Sequence, residues 1–352
     1  MLQNLSLKRC SSMNTVLKSG SLKALALAGA VSLATWGPAV QAEEDVILAH
    51  AMSQEHIFNP IADRFISSLE KQAPDEFNIR YHPGGDLGDW TSQFEQTIAG
   101  EIGMTMTFPA TDFDPRLNIS IMGMVAGNWD EATSIYGPGG SMVDTYSEIY
   151  AGLNMKLLAI LPVDFGGIAI RKGIGKVPVN FPADGEGLKV RVPPMQTAIK
   201  RFEFLGFNPV PLPFSELYTA LQLGSVDGRT FGPPSEIWQM RDVLETYVFS
   251  RDYFEQGAFL VNMDWWNDLN ADQQQALQAA ADDAGRWAWK EAESISEKLI
   301  ADIKGYGINV VELDGPQQAK LRSIIQDNEW PWMEETVGKH LVDQVRTATA
   351  NL

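Results

Sequence analysis

The stretch GLKVRVPPMQTAIKRFEFLGFNPVPLPFSELYTALQLGSVDGRTF, residues 187–231, sets the reading of the whole chain. LKVRV alternates as a strand does, with Leu188, Val190 and Val192 on one face and Lys189 and Arg191 on the other. Pro193 and Pro194 stop it. Pro213 and Ser215 then open a helix with Ser215 as N-cap; Leu217, Ala220 and Leu221 fall at helical spacing, and Gly224 suits the position just past the end. SVDG follows as a brief strand and turn. Read alone, an arginine beside an apolar face is most often a buried ion-pair partner.

The order of these pieces adds a second reading. GLKVRVP, followed about twenty residues on by LGFNPVPLPFSELYTALQLGSVDG, resembles the periplasmic solute-binding proteins of TRAP transporters, the DctP-like family. The resemblance covers essentially all of the chain after its leader. It implies that Arg191 grips the carboxylate of a ligand, for which a planar guanidinium offers two parallel hydrogen bonds. It further implies a two-domain α/β binding protein with mixed sheets flanked by helices, a hinge and a long domain-spanning helix. The partners it implies are an organic-acid ligand and the small and large membrane subunits of the transporter.

The chain begins with a basic, serine-rich segment carrying Lys8, Arg9, Lys18 and Lys23, with no acid before Glu43. An apolar run from Ala24 to Trp36 leads to Pro38 and the small-residue site Val40-Gln41-Ala42. This is the pattern of a secretory leader cleaved after Ala42, which places the product in the periplasm. Met13 is an alternative start. The run is shorter than the ~20 apolar residues that span a bilayer. Cys10, the only cysteine, precedes that run, so the processed chain has no disulfide.

Taking the four basic residues of the leader from the total of 27 leaves 23 against 45 acidic residues, a formal −22 over residues 43–352. Such a charge argues against nucleic acid and against an anionic membrane surface. A monomer is expected.

Along the processed chain, strands are expected at 45–51, 77–83 and 102–109, with helices from about Pro60 and from about Thr91 to Ala99 between them. Ligands of such sheets sit at the carboxyl ends of strands, which selects His50, Ala51, Asp89, Trp90 and Phe108. MKLLAILPVDFGGIAIRKG reads as two strands, one on each side of Pro162, and GAFLVNM (257–263) as a return strand. Asn270 with Gln273 forms a capping box for the longest helix, running to about Lys304, roughly 30 residues or about 45 Å. The expected division is 1–42 as leader, 43–166 with 257–296 as the first domain, and 167–256 with 297–352 as the second. The tail around Trp330 and Trp332 is expected to pack on the second domain.

Catalytic signatures are missing. The four histidines, His50, His56, His82 and His340, form no i,i+4 pair, and H-E-x-x-H, G-x-G-x-x-G, a P-loop and G-x-S-x-G do not occur. No cofactor and no metal site is expected. Scattered carboxylates keep a secreted carboxylate-processing enzyme as the rival of a different class.

Departures from the family's sugar-acid pattern describe the ligand. Ala51 stands where an asparagine ends the first strand, Trp90 and Phe108 stand where acids are found, and Pro194 replaces an asparagine. Phe231 stands where an asparagine touches ligand, and Phe214 matches an aromatic platform. Trp129 and Trp238 are further candidates. Arg171 is the candidate for a second ligand-contacting arginine, or else a strand-end surface residue; Arg229 is either a contact from the opposite wall or a solvated turn residue. One arginine among Trp90, Phe108, Phe214 and Phe231 suits a monocarboxylate with an apolar or aromatic body. A sugar acid stripped of water there loses ~1–3 kcal/mol per unsatisfied group. Each aromatic taken singly is as readily an ordinary core residue. A short keto or hydroxy acid, with the aromatics only excluding water, is the rival ligand.

Overall fold

A computed structural model of the chain describes residues 43–350. The leader expected at 1–42, with Cys10 and Met13, lies outside them. Eleven strands occur among the described residues: β1 (Glu44–Ala49), β2 (Phe77–His82), β3 (Met104–Thr107), β4 (Met155–Phe165), β5 (Ile168–Arg171), β6 (Lys189–Val192), β7 (Asn208–Pro211), β8 (Gly228–Arg229), β9 (Leu244–Phe249), β10 (Phe254–Asn262) and β11 (Asn309–Glu312). They form two mixed sheets, β2-β1-β3-β10-β4 and β11-β9-β5-β8-β6-β7, both within one compact unit. In the first sheet β1 is parallel to β2 and β3, while β10 runs antiparallel to β3 and β4. In the second, β6 is parallel to β7 and β8, and β5 is antiparallel to β8 and β9.

The two sheets are joined by adjacent connections, Gly166-Gly167 between β4 and β5 and 250–253 between β9 and β10. These connections bond to each other: Gly166 N–H donates to Tyr253 O (2.9 Å), and Arg251 N–H donates to Gly166 O (3.0 Å). A Cβ on Gly166 would lie 2.2 Å from Tyr253 Cε1, and one on Gly167 would lie 2.4 Å from Tyr247 Cε2. Only glycine lets the backbone pass so close under two aromatic rings.

Pro162 does not separate two strands. β4 runs through it for 11 residues, because β4 is the edge strand of its sheet and a missing N–H is tolerated there. The β10–β4 register also shifts just beside it, where Glu255 pairs with Asp164 but Gln256 pairs with Pro162. Ser215 is not an N-cap either; Pro213 precedes the helix Phe214–Leu223, and no side chain caps it. Gly224 does end that helix, in the left-handed conformation at φ 73°. The strand after it begins only at Gly228.

The helix Ala271–Tyr306 has 36 residues, about 54 Å at 1.5 Å per residue. Its Asn270–Gln273 capping box forms as expected, Gly305 stays inside it, and Gly307 ends it at φ 104°. Ala276, Ala280, Ala284, Ala288 and Ala292 make a buried stripe that lets it lie close against the first sheet and the helix Phe58–Gln72. At its other end Tyr306 meets Trp238 of the helix Pro234–Gln239 (ring centroids 6.1 Å apart), so one helix does reach both sheets.

The C-terminal helices Gly315–Val337 and Lys339–Ala350 bridge more than the second sheet's layer. The first packs on the helix Gln196–Phe204 and also on the segment Pro115–Ile121, and Trp330 Nε1 donates to Gly123 O at 2.9 Å. No described helix is long and apolar enough to cross a membrane.

Candidate functional site: a cavity between the sheets

A cavity of about 70 Å³ lies where β6, β8 and β10 approach the ends of β1 and β3. At roughly 10–15 Å³ per water-sized sphere, it has room for a small organic molecule or several waters. Five of the predicted residues, Arg191, Trp90, Phe108, Phe214 and Phe231, line it together. Trp90 is the first residue of a helix whose N-cap, Asp89, accepts from Ser92 N–H at 2.9 Å. The Trp90 and Phe108 rings meet edge to face at 6.2 Å. Phe231 adopts φ 52°, a left-handed conformation uncommon for a bulky side chain, and its ring packs 4.4 Å from that of Tyr253.

Arg191 projects from β6, next to Arg229 of β8 in the strand register. Its Nε donates to Leu212 O at 2.9 Å, which leaves both terminal nitrogens free of protein acceptors among the described residues. Both guanidinium groups lie about 6 Å from the Phe214 ring: 5.9 Å for Arg191 and 6.0 Å for Arg229. Burial, and then the Arg229 charge, push the Arg191 guanidinium down to about 10, with Glu236, Tyr253 and Glu255 opposing that shift. It stays cationic at neutral pH.

Arg229 is neither a solvated turn residue nor a cavity-lining contact. It is fully buried behind Phe214, ion-paired with Glu236 and donating to Phe231 O at 2.7 Å. The inner of the two arginines is thereby neutralised.

Three other predicted residues stand away from the cavity. Arg171 lies at a register shift after Ile170; it donates to Val226 O (3.1 Å) and faces Asp227 at 3.8 Å. Trp238 lies under the Arg241 guanidinium, 4.3 Å from its centre, and against Tyr306. His50 points back into the first sheet's core, with Nε2 2.7 Å from Tyr81 Oη and Nδ1 accepting from Met52 N–H at 3.2 Å. Trp129 is also core, edge-on to Phe165 and Phe254. Among the described residues no cluster of three or more histidine, cysteine, aspartate or glutamate side chains is arranged to hold a metal.

Burial holds His50 down at about 4, and burial plus the His50 charge holds His56 at about 3, so both are neutral in the folded protein. The unfolded chain binds the extra proton between pH 4 and 6.5. The stability His50 contributes is therefore complete above about pH 6.5 and is lost as pH falls towards 4, up to about 3 kcal/mol. Urea unfolding of wild type and His50→Gln across that range should show their difference shrinking on acidification. The difference is the proper readout, since the buried carboxyls of Asp164 (raised to about 7 by burial) and Glu255 titrate in the opposite sense.

The sequence reading missed the polar floor of the cavity. Glu236, Tyr253, Glu255 and Gln256 line it, with Ser120 beside them. The one available signal was the Glu-Gln pair interrupting an otherwise apolar strand, FEQGAFLVN. At the end of β1 it is Met52, not Ala51, that reaches the cavity, and after β6 it is Pro193, while Pro194 is exposed.

Two mixed sheets are thus spanned by one helix, with an arginine facing a cavity between them. A family model described as bacterial extracellular solute-binding protein, family 7 (DctP), matches residues 48–330, and the chain belongs to that family. It is a binding protein of TRAP transport, not an enzyme. Among its relatives, the 2,3-diketo-L-gulonate-binding periplasmic protein YiaO of Escherichia coli is 24% identical over 82% of this chain and 86% of that one. The C4-dicarboxylate-binding periplasmic protein DctP of Rhodobacter capsulatus is 30% identical over 49% of this chain and 52% of its own. The crystal structure of the sugar acid binding protein DctPAm from Advenella mimigardefordensis with galactonate superposes with a TM-score of 0.81 at 20% identity, covering 88% of this chain and 99% of that chain.

Proposed function

We propose that this protein captures an organic monocarboxylate with an apolar or aromatic body and delivers it to the small and large membrane subunits of a TRAP transporter. The observation that carries this reading is Arg191: a buried cation with two free terminal nitrogens, facing a cavity walled by Trp90, Phe108, Phe214 and Phe231. The ligands named for the three relatives above are organic acids, which supports a carboxylate as the group Arg191 receives.

In this reading residues 43–166 with 257–296 and residues 167–256 with 297–352 are two domains, and the paired connections at Gly166-Gly167 and 250–253 are their hinge. The protein works in the periplasm after loss of its leader. Ligand favours closure only by its extra affinity for the closed form. No bond changes; the ligand leaves as it entered.

A thermal-shift screen of refolded, ligand-stripped protein tests the reading. The panel holds aromatic acids, short keto and hydroxy acids, sugar acids and neutral analogues. A ligand at 100 times its Kd adds about 2.7 kcal/mol, a clear shift. Stabilisation by carboxylates with apolar bodies is expected; a response to sugar acids alone would remove the apolar-body part and leave the transport class standing.

A further inference from the structure

Two ionisable groups that face the cavity have no ion-pair partner. Arg191 forms no ion pair among the described residues, and neither does Glu255, which also lines the cavity; the third charged residue of the lining, Glu236, is already paired with Arg229. Three buried polar atoms of the floor make no hydrogen bond: Glu255 Oε2, the neighbouring Gln256 Oε1 and the hydroxyl of Tyr253. The Gln256 amide nitrogen is committed elsewhere, to Ser120 O and Tyr146 Oη at 3.2 Å each. A buried polar group left unmet costs ~1–3 kcal/mol, and with Glu255 ionised the single hydroxyl of Tyr253 cannot meet both acceptors, so that state of the floor calls for a donor from whatever enters. A plain monocarboxylate has none to give.

From this we infer that the ligand is a zwitterion: its carboxylate meets Arg191 and a cationic N–H group meets Glu255, with the apolar body held by the aromatic walls. The inference rests on the organic-acid reading of the same cavity and narrows it to amino-acid-like compounds. Around Glu255 stand Glu236 from the helix Pro234–Gln239, Arg229 from β8, Asp164 from β4, Tyr253 just before its own strand, and Arg191 across the cavity. Burial and then the Glu236 charge push the Glu255 carboxyl well above the usual carboxylate range, so the empty site favours its protonated form. A cationic ligand stabilises the ionised form and displaces that proton.

The test is calorimetric titration of refolded, ligand-stripped protein with matched acids that differ in one nitrogen: proline against cyclopentanecarboxylate, and phenylalanine against 3-phenylpropanoate. In at least one pair the zwitterion should bind tenfold or more tightly than its partner. Glu255→Gln should reduce that preference to threefold or less. Repeating the wild-type titration in buffers of different ionisation enthalpy should show about one proton released with the zwitterion, a readout that does not depend on the variant folding. Equal or tighter binding of the nitrogen-free acids overturns the inference and leaves the organic-acid reading intact. If no acid of either kind binds, both fall.

Discussion

Replacing Arg191 with alanine is expected to weaken binding of the organic acid a hundredfold or more while leaving the ligand-free protein nearly as stable as before. Truncating one partner of a buried, hydrogen-bonded charge pair costs about 2–5 kcal/mol. The free protein loses little because two effects oppose each other. Leu212 O loses its donor, but a desolvated cation beside Arg229 is also removed. Arg191→Lys separates charge from shape: it keeps the cation and loses the planar fork, so affinity should still fall about tenfold. Calorimetry with a stabilising acid from the screen, paired with urea unfolding of each free variant, checks both statements. Affinity within threefold of wild type in Arg191→Ala would remove this residue from the site.

The largest effect on stability is expected at Arg201. This arginine is fully buried, donates through Nε and Nη2 to both carboxylate oxygens of Glu329 at 2.6 and 2.8 Å, and donates also to Ile121 O. Glu329 in turn accepts from Gly123 N–H at 2.8 Å, and Asp252 lies 3.5 Å from Arg201 Nη1. The Phe231 and Tyr253 rings stand 5.1 and 5.6 Å from the guanidinium, so the cluster braces two cavity residues from behind. Breaking such a pair from one side strands a buried charge. Glu329→Ala or Arg201→Ala should therefore cost about 3–5 kcal/mol, lowering the melting temperature by about 10 °C. The double variant Arg201→Met/Glu329→Leu, which removes both charges, should be less harmful than either single change. If the single variants melt within 2 °C of wild type on the order expected for surface changes, the brace contributes nothing.

Parts of the site with a local signature could be seen in the chain itself. Trp90 and Phe108 follow from strand and helix ends, and Arg191, Phe214 and Phe231 from one motif whose order along the sequence is diagnostic. The capping box at Asn270 needed only four residues to read. What escaped depends on distant neighbours. Arg229 looks like a turn residue until Glu236, seven places on in a short helix, is folded back over it. The partner of Arg201 is 128 positions away. His50 sits at the correct strand end, yet its ring is drawn inward by Tyr81, which in turn donates to Asn59 Oδ1 at 3.2 Å. Arg171 sits at a register shift, which side-chain alternation cannot foretell. The polar floor comes from β10, from Tyr253 just before it and from Glu236 of the helix Pro234–Gln239, so no span of sequence near Arg191 hints at it.

Tyr253, Glu255 and Gln256 belong to the floor of the cavity and also to the crossing where Gly166 and Tyr253 bond to each other. If the proposed hinge and binding site are correct, the solute rests next to the pivot, with the 54 Å helix running past both. Drift in the floor residues would alter grip and posture together, whereas drift in Trp90, Phe108 or Phe214 can retune the solute alone. Relatives that have changed their cargo while keeping the same transporter should differ at the walls first.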